Sequence, residues 1–172
     1  MIEANQRNDR SRTLGRLLPT DLGASAATLK ESPDTRSDPG AARLHAMLEV
    51  AYLAAAADEV LTDEEIAFLV ANIQSWLGEQ LDAAFLVPLF EHLAHQLATD
   101  GFAGRLAAVA AILDPASRRT AYKLACVTAL CDHDVHDDEL RFLGGIVDAF
   151  ELPVDEAQAI FDELDEAITS SP

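Results

Sequence analysis

One acidic segment occurs twice in this sequence. Residues 57–65 read ADEVLTDEE, and residues 131–139, 74 positions later, read CDHDVHDDE. Apolar residues on both sides of the segment pair at the same offset. These pairs are Ala51 with Ala125, Ala55 with Ala129, Phe68 with Phe142, and Leu69 with Leu143. Because apolar and acidic positions keep one register, we predict a helix-loop-helix unit that is used twice, with an acidic loop in each copy.

Length and charge limit the fold and its partners. The chain has 172 residues, 49% of them hydrophobic, which is enough for one core of about 130 residues and a tail. Residues 1–40 contain six basic and six acidic side chains, whereas residues 41–172 contain six and twenty-four. Such an acidic domain repels phosphate backbones, so we exclude nucleic acid as a partner. It favours cations, basic proteins or basic segments at a membrane surface, and solvation alone is the other explanation of the charge.

The sequence predicts neither a membrane span nor a secretory signal. No window has the roughly 18 uninterrupted apolar residues that a spanning helix needs, and arginines interrupt the N-terminal region where a signal has its apolar stretch. Cys126 and Cys131 are five positions apart, so they point to different sides of one predicted helix. We interpret them as reduced core residues and expect a cytoplasmic protein.

Residues 1–42 are predicted to form a flexible N-terminal tail. They mix Ser, Thr, Pro, Gly, Asp and Arg without sustained periodicity, and residues 32–40 have the composition of a linker. The alternative is a short helix over residues 10–18, because Leu14, Leu17 and Leu18 share one helical face. Such a helix would contact a partner or the core.

From residue 43 onward the apolar residues recur at helical spacing. We predict one all-α domain over residues 43–170, a compact bundle of about six or seven helices. The first repeat covers about residues 43–78 and the second about 115–150, and we expect a pseudo-twofold axis between them. Helices over residues 85–97 and 102–113 lie between the repeats, and a last helix covers residues 154–167.

Two helix starts are specified by their residue types. Thr62, with Glu65 three residues later, matches a capping box, in which each side chain bonds to the backbone amide of the other residue. Asp114 can cap a helix, and Pro115 suits the first helical position because its missing amide hydrogen is not needed there. We predict that helices begin at both places.

The two acidic segments resemble the TerB-like domain of tellurite-resistance proteins. That domain is all-α and contains the pattern Ala-Asp-Gly-x-Ile/Val-x-x-x-Glu twice, each time between two helices. The matching positions are Ala57, Asp58, Leu61 and Glu65 in the first copy, and Cys131, Asp132, Val135 and Glu139 in the second. The usual glycine is replaced by Glu59 and His133, which puts the loop geometry in question if that glycine has a positive φ. The resemblance covers residues 43–168. It implies a stress response to metal oxyanions such as tellurite, divalent-cation binding, and partner proteins in a membrane-associated complex.

The acidic loops are candidate cation ligands. If the pseudo-twofold axis brings them together, six carboxylates could be pooled for Ca²⁺, Mg²⁺ or Mn²⁺, which prefer oxygen ligands. They are Asp58, Asp63, Glu65, Asp132, Asp137 and Glu139. The second loop adds His133, Asp134 and His136, whose imidazoles would suit Zn²⁺ or Ni²⁺. The alternative is that the acidic residues only cap helices and interact favourably with the helix dipole.

Three functional hypotheses follow. The first is a non-enzymatic stress-response module that binds a divalent cation and docks to partner proteins. The second is a metal-independent helical adaptor whose acidic loops are only helix caps. The third is a metal-dependent hydrolase, for which the sequence offers no phosphate-binding loop and no activated nucleophile. His92 and His95, three residues apart on a predicted helix, are a weaker candidate for a metal site.

Overall fold

The computed structural model describes residues 2–19, 22–31, 38–57, 60–78, 81–131 and 137–170. These residues form helices and connecting segments and contain no strand, so the prediction of an all-α fold is confirmed. The eight helices within them are α1 (Ile2–Gly15), α2 (Leu22–Glu31), α3 (Pro39–Ala55), α4 (Asp63–Leu77), α5 (Ala83–Ile112), α6 (Pro115–Cys131), α7 (Asp137–Ala149) and α8 (Val154–Thr169).

Helices α3 and α6 form the centre of the core. Both are rich in alanine and leucine, both are mostly buried, and α3 packs more extensively on α6 than on any other helix. Their small side chains, such as Ala51 and Ala125, are fully buried, which lets the two helices approach closely. Because α3 and α6 are the first helices of the two predicted repeats, the repeated segments meet in the middle of the molecule.

The second helix of each repeat begins at the same relative position. Helix α4 starts at Asp63 and α7 at Asp137, 74 residues later. Each follows its central helix after an acidic loop. Helices α3–α4 and α6–α7 therefore stand at the sequence positions of the two predicted units, while the structural repeat and its pseudo-twofold axis stay predictions.

Helix α5 is divided at Gly101. The helix extends from Ala83 to Ile112, but Gly101 has a φ of 69° and a ψ of 169°, which are not helical values. A positive φ is readily adopted by glycine because it lacks a Cβ atom. The sequence prediction of two helices, over residues 85–97 and 102–113, agrees with this division.

Arg118 connects the C-terminal ends of α5 and α7. Its guanidinium donates hydrogen bonds to the carbonyl oxygens of Ala110 at 2.7 Å, Leu113 at 3.1 Å and Phe150 at 3.2 Å. Carbonyl groups at helix C-termini lack intrahelical partners, so a cation there satisfies them and interacts favourably with the helix dipole. The C-terminal end of α7 is thereby fixed to the core.

The N-terminal segment differs from the predicted tail. Helices α1 and α2 cover most of residues 1–42, and Leu14, Leu18, Ala26 and Leu29 are buried in the core. The alternative of a short helix over residues 10–18 was closer, since α1 ends at Gly15 and places Leu14 against the domain. Residues 32–37 of the predicted linker lie outside the described residues.

Polar contacts with α4 explain why this segment packs on the core despite its few apolar residues. Ser11 Oγ donates to Asn72 Oδ1 at 2.6 Å, and Trp76 Nε1 donates to the carbonyl oxygen of Ser11 at 3.1 Å. Gly15 lies so close to Trp76 that a Cβ atom there would be 2.4 Å from the indole Cδ1. These contacts depend on residues 61 or more positions away, so local periodicity cannot reveal them.

Candidate functional site

Four of the six predicted carboxylate ligands lie within the described residues. Asp63 and Glu65 are in the first turn of α4, and Asp137 and Glu139 are in the first turn of α7. The other predicted ligands lie outside the described residues: Asp58, Asp132, His133, Asp134 and His136. The structure therefore places the helical half of each predicted site and not the loop half.

Glu65 has the capping geometry that the sequence predicts. Its Oε2 atom accepts from the backbone amide of Thr62 at 2.7 Å and from the Thr62 hydroxyl at 2.8 Å. The Glu65 amide in turn donates to the Thr62 hydroxyl at 3.3 Å, which completes the capping box. Asp114 also caps as predicted, because its carboxylate accepts from the Ser117 amide at 2.8 Å. That bond holds the pKa of Asp114 below its usual value.

A cleft is bordered by residues that flank both acidic loops. Ala57, the last described residue before the first loop, and Asp138, the second residue after the second loop, line the same cleft of about 670 Å³. Its walls are largely apolar and come from the second half of α5 and from α7. Phe102 and Phe142 meet there edge to face, with their ring centroids 5.4 Å apart. The flanks of the two acidic loops therefore converge on one part of the molecule.

The polar groups of this cleft lie on α7. Arg141 Nη1 donates to Asp138 Oδ1, one turn earlier, and Asp148 lies near the other end of the helix. Both members of the ion pair are more than half exposed, so the pair is weak and can exchange for other partners. Sequence reasoning did not single out the apolar lining, because Phe102 and Leu106 have the spacing of ordinary core residues.

Within the described ranges, no group of three or more histidine, cysteine, aspartate or glutamate side chains is arranged to hold a metal ion. The two helical halves therefore do not form a complete ligand set by themselves, and pooling across the loops stays a prediction. His92 and His95 are exposed on α5.

A buried ion pair between α3 and α5 was not predicted. Arg105 Nε donates to Glu49 Oε1 at 2.6 Å, and the two side chains are only 14% and 4% exposed. Arg105 also donates to Asp100 at 3.0 Å. Burial lowers the pKa of the neighbouring His45, although the charge of Glu49 partly opposes that shift. The pair secures the second half of α5, which forms one wall of the cleft.

The cysteines are confirmed as core residues. Cys126 and Cys131 are buried and form no disulfide. Burial raises the pKa of the Cys126 thiol to about 12, and burial also raises the pKa of Tyr122 beside it. A thiol with so high a pKa is protonated at neutral pH and is a poor nucleophile.

None of the described helices is both long enough and apolar enough to cross a bilayer.

The sequence was compared with known proteins. A family model described as "Tellurite resistance protein TerB" matches residues 41–162. No curated protein and no solved structure gave a significant match. The matched region contains both acidic loops and extends from α3 into α8, and helices α1 and α2 precede it. Because the match covers well over half of the sequence, this chain belongs to the TerB family of tellurite resistance proteins.

Proposed function

We propose that this protein is a non-enzymatic module of a cytoplasmic stress response that binds a divalent cation at its two acidic loops and docks to partner proteins. The observation that carries the proposal is the cleft bordered by residues that flank both acidic loops. Ala57 and Asp138 border it from the two predicted repeats, which supports a cation site that draws carboxylates from both loops. Family membership supports the stress-response setting, and the resemblance suggests a membrane-associated complex as the partner.

The donor set fits a hard cation. Asp63 and Asp137 are exposed first residues of α4 and α7, and carboxylate oxygens are the ligands that Ca²⁺, Mg²⁺ and Mn²⁺ prefer. Asp58 and Asp132 would supply the loop halves of the site, and the imidazoles of the second loop would extend the choice to Zn²⁺. Carboxylates pooled at one site would repel one another, and a bound cation would relieve that repulsion.

Neutralisation of the loops would couple cation binding to docking. The second loop leads directly into α7, and α7 forms a wall of the cleft. A cation that draws the two loops together would bias the position of α7 relative to α5. The affinity of a partner that contacts α7 would then depend on that position. This mechanism needs no turnover of a substrate.

Thermal unfolding of chelator-stripped protein, with and without each of Ca²⁺, Mg²⁺, Mn²⁺ and Zn²⁺, tests the cation site. At a hundred times its dissociation constant, a bound ion adds about 2.7 kcal/mol to the free energy of unfolding. We expect a selective rise that Asp58→Asn/Asp132→Asn removes. The control Asp155→Asn/Asp165→Asn makes the same charge change on α8, outside both loops, and should keep the rise. A flat response to every ion would contradict the proposal.

The second candidate function is a metal-independent adaptor. The capping box favours it, because Glu65 already has a structural role at the start of α4. Under this alternative no ion stabilises the wild type, and Asp58→Asn/Asp132→Asn changes the stability little, because asparagine caps a helix about as well as aspartate.

A further inference from the structure

Helices α7 and α8 leave a groove between them. They are consecutive in the chain, yet each packs on α6 and they make very few contacts with each other. The groove has a volume of about 790 Å³. Its lining includes the nearly buried Tyr122, Leu143 and Ala157. It is distinct from the cleft beside the acidic loops, which lies on the α5 side of α7.

The lining also contains large apolar side chains that remain accessible to solvent. Leu140 on α7 is 47% exposed and Val154 at the start of α8 is 75% exposed. In the described part of the chain, only two other large apolar residues, Val60 and Ile112, are exposed to a similar extent. Two accessible apolar groups at one groove with an apolar lining are typical of a protein interaction site.

The charge of the two helices indicates the chemistry of the partner. Helices α7 and α8 together contain ten acidic side chains and one basic side chain, Arg141. Arg141 is paired with Asp138 of the same helix, and Arg119 and Lys123 of α6 pair with Glu156 and Glu163 of α8. The acidic side chains of α7 and α8 still outnumber these three basic ones. A segment that places apolar residues in the groove therefore meets a negative field on both sides, which favours lysine and arginine on its flanks.

A helix suits this groove better than an extended strand. The described residues contain no strand, so no sheet edge is present there to pair with an extended peptide. Two separated helices over an apolar floor instead accept the apolar face of a third helix, with anchors at i, i+3, i+4 and i+7.

We propose that the α7–α8 groove binds a basic amphipathic helix of a partner protein. This inference rests on the proposed function, for which it identifies the docking surface and the class of partner. The apolar face of the partner helix would contact Leu140, Val154 and Phe161, and its basic flanks would face the acidic side chains of α7 and α8.

The probe is a fluorescein-labelled synthetic helix of about 18 residues, long enough to span α8 at 1.5 Å per residue. It carries leucines at i, i+3, i+4 and i+7 and lysines elsewhere, and binding is followed by fluorescence anisotropy. The test variant is Leu140→Glu/Val154→Glu, which removes apolar contacts and adds two negative charges. Both positions lie near helix N-termini, where glutamate is favourable, so the variant should fold, as circular dichroism would verify. The matched control, Val60→Glu/Ile112→Glu, makes the same change at two exposed residues that do not line the groove.

We expect the wild type to bind the peptide with micromolar affinity. The groove variant should bind at least about tenfold more weakly, as expected when interface anchors are lost, and the control should bind equally well or more tightly. If the groove variant also binds as tightly as the wild type, the negative field alone attracts the peptide and the proposal is wrong. Absence of binding to the wild type would overturn it as well.

Two further measurements separate the possible outcomes. Sedimentation velocity of the same variants shows whether the occupant is a second copy of this chain, because the groove variant would then convert a dimer into a monomer, which contradicts a heterologous helix. Thermal shifts with the divalent cations distinguish the two proposals, since Leu140 and Val154 supply no ligand. A cation response without peptide binding removes only this inference, whereas peptide binding without a cation response removes the cation site and leaves the groove.

Discussion

Helices α4 and α7 occupy corresponding places in the two helix-loop-helix units, yet they are held in different ways. Helix α4 begins with a complete capping box, buries five residues and binds α1 through Asn72 and Trp76. Helix α7 buries three residues and has an open groove or cleft along each side. At the positions of Val70 and Ala71 in α4, α7 has Gly144 and Gly145. Helix α4 is thus firmly packed, whereas both sides of α7 remain accessible.

The two central helices show a similar divergence in charge. His45 and Glu49 of α3 correspond to Arg119 and Lys123 of α6, 74 positions later. In α3, Glu49 is buried with Arg105 of α5. In α6, Arg119 and Lys123 pair at the surface with Glu156 and Glu163 of α8, and both glutamates are at least 31% exposed. Ion pairs link α3 to α5 and α6 to α8, but only the pair between α3 and α5 is buried.

Removal of Arg105 should produce the largest difference between the units. Arg105→Met leaves Glu49 as a buried carboxylate without its main partner, which should lower the free energy of unfolding by about 3 to 5 kcal/mol. Lys123→Met breaks the partly exposed pair with Glu163 and should cost about 0 to 1 kcal/mol. Urea unfolding of both variants, followed by circular dichroism, measures the contrast.

The double variant Arg105→Met/Glu49→Met provides the control for this prediction. Because it removes both charges, it should recover much of the stability that Arg105→Met loses. Equal losses in the single and double variants would show that the cost comes from altered packing around Arg105 rather than from an unpaired carboxylate.

The capping box should give the next largest effect. Thr62→Ala removes the hydroxyl that accepts from the Glu65 amide, and caps of this kind contribute about 1 kcal/mol, within a range of 0.5 to 2. Thr62→Ser keeps the hydroxyl and should be nearly neutral. Urea unfolding distinguishes the two variants. Equal stability of Thr62→Ala and the wild type would show that this cap does not hold α4.

Local signals in the sequence were sufficient for the fold class and for several helix ends. The 3.6-residue periodicity predicted helices throughout residues 43–170, and the residue types at Thr62 and Asp114 predicted caps that the structure contains. These features depend on residues only a few positions apart. The TerB resemblance likewise came from short patterns, and the family match confirms it.

Features that depend on distant residues were not predictable in this way. A helix over residues 10–18 was only the alternative to a flexible tail, because the attachment of α1 requires Asn72 and Trp76. The buried pair requires Glu49 and Arg105, 56 positions apart. The groove between α7 and α8 is a property of how two helices diverge on a third, which no single segment encodes. The candidate cation ligands were readable as acidic residues, but their pooling depends on the relative position of two loops.

The smallest predicted effect concerns a glycine within α7. A Cβ atom at Gly144 would meet nothing within 4 Å, so Gly144→Ala should stabilise the protein by about 0.5 to 1 kcal/mol, chiefly because alanine restricts the unfolded chain. Gly101→Ala is the matched control. Its Cβ atom would also meet nothing, but its φ of 69° is unfavourable for alanine, and this variant should be destabilised.

We expect thermal unfolding to show opposite changes in stability for the two glycine variants, although the added methyl group is the same and both sites are open. Stabilisation at Gly144 and destabilisation at Gly101 would show that backbone conformation decides the result. It would also show that Gly144 weakens α7 at the position where α4 has the buried Val70. If Gly144→Ala destabilises the protein, glycine at this position has a structural role in α7, and the contrast between the two units would then lie in packing and capping alone.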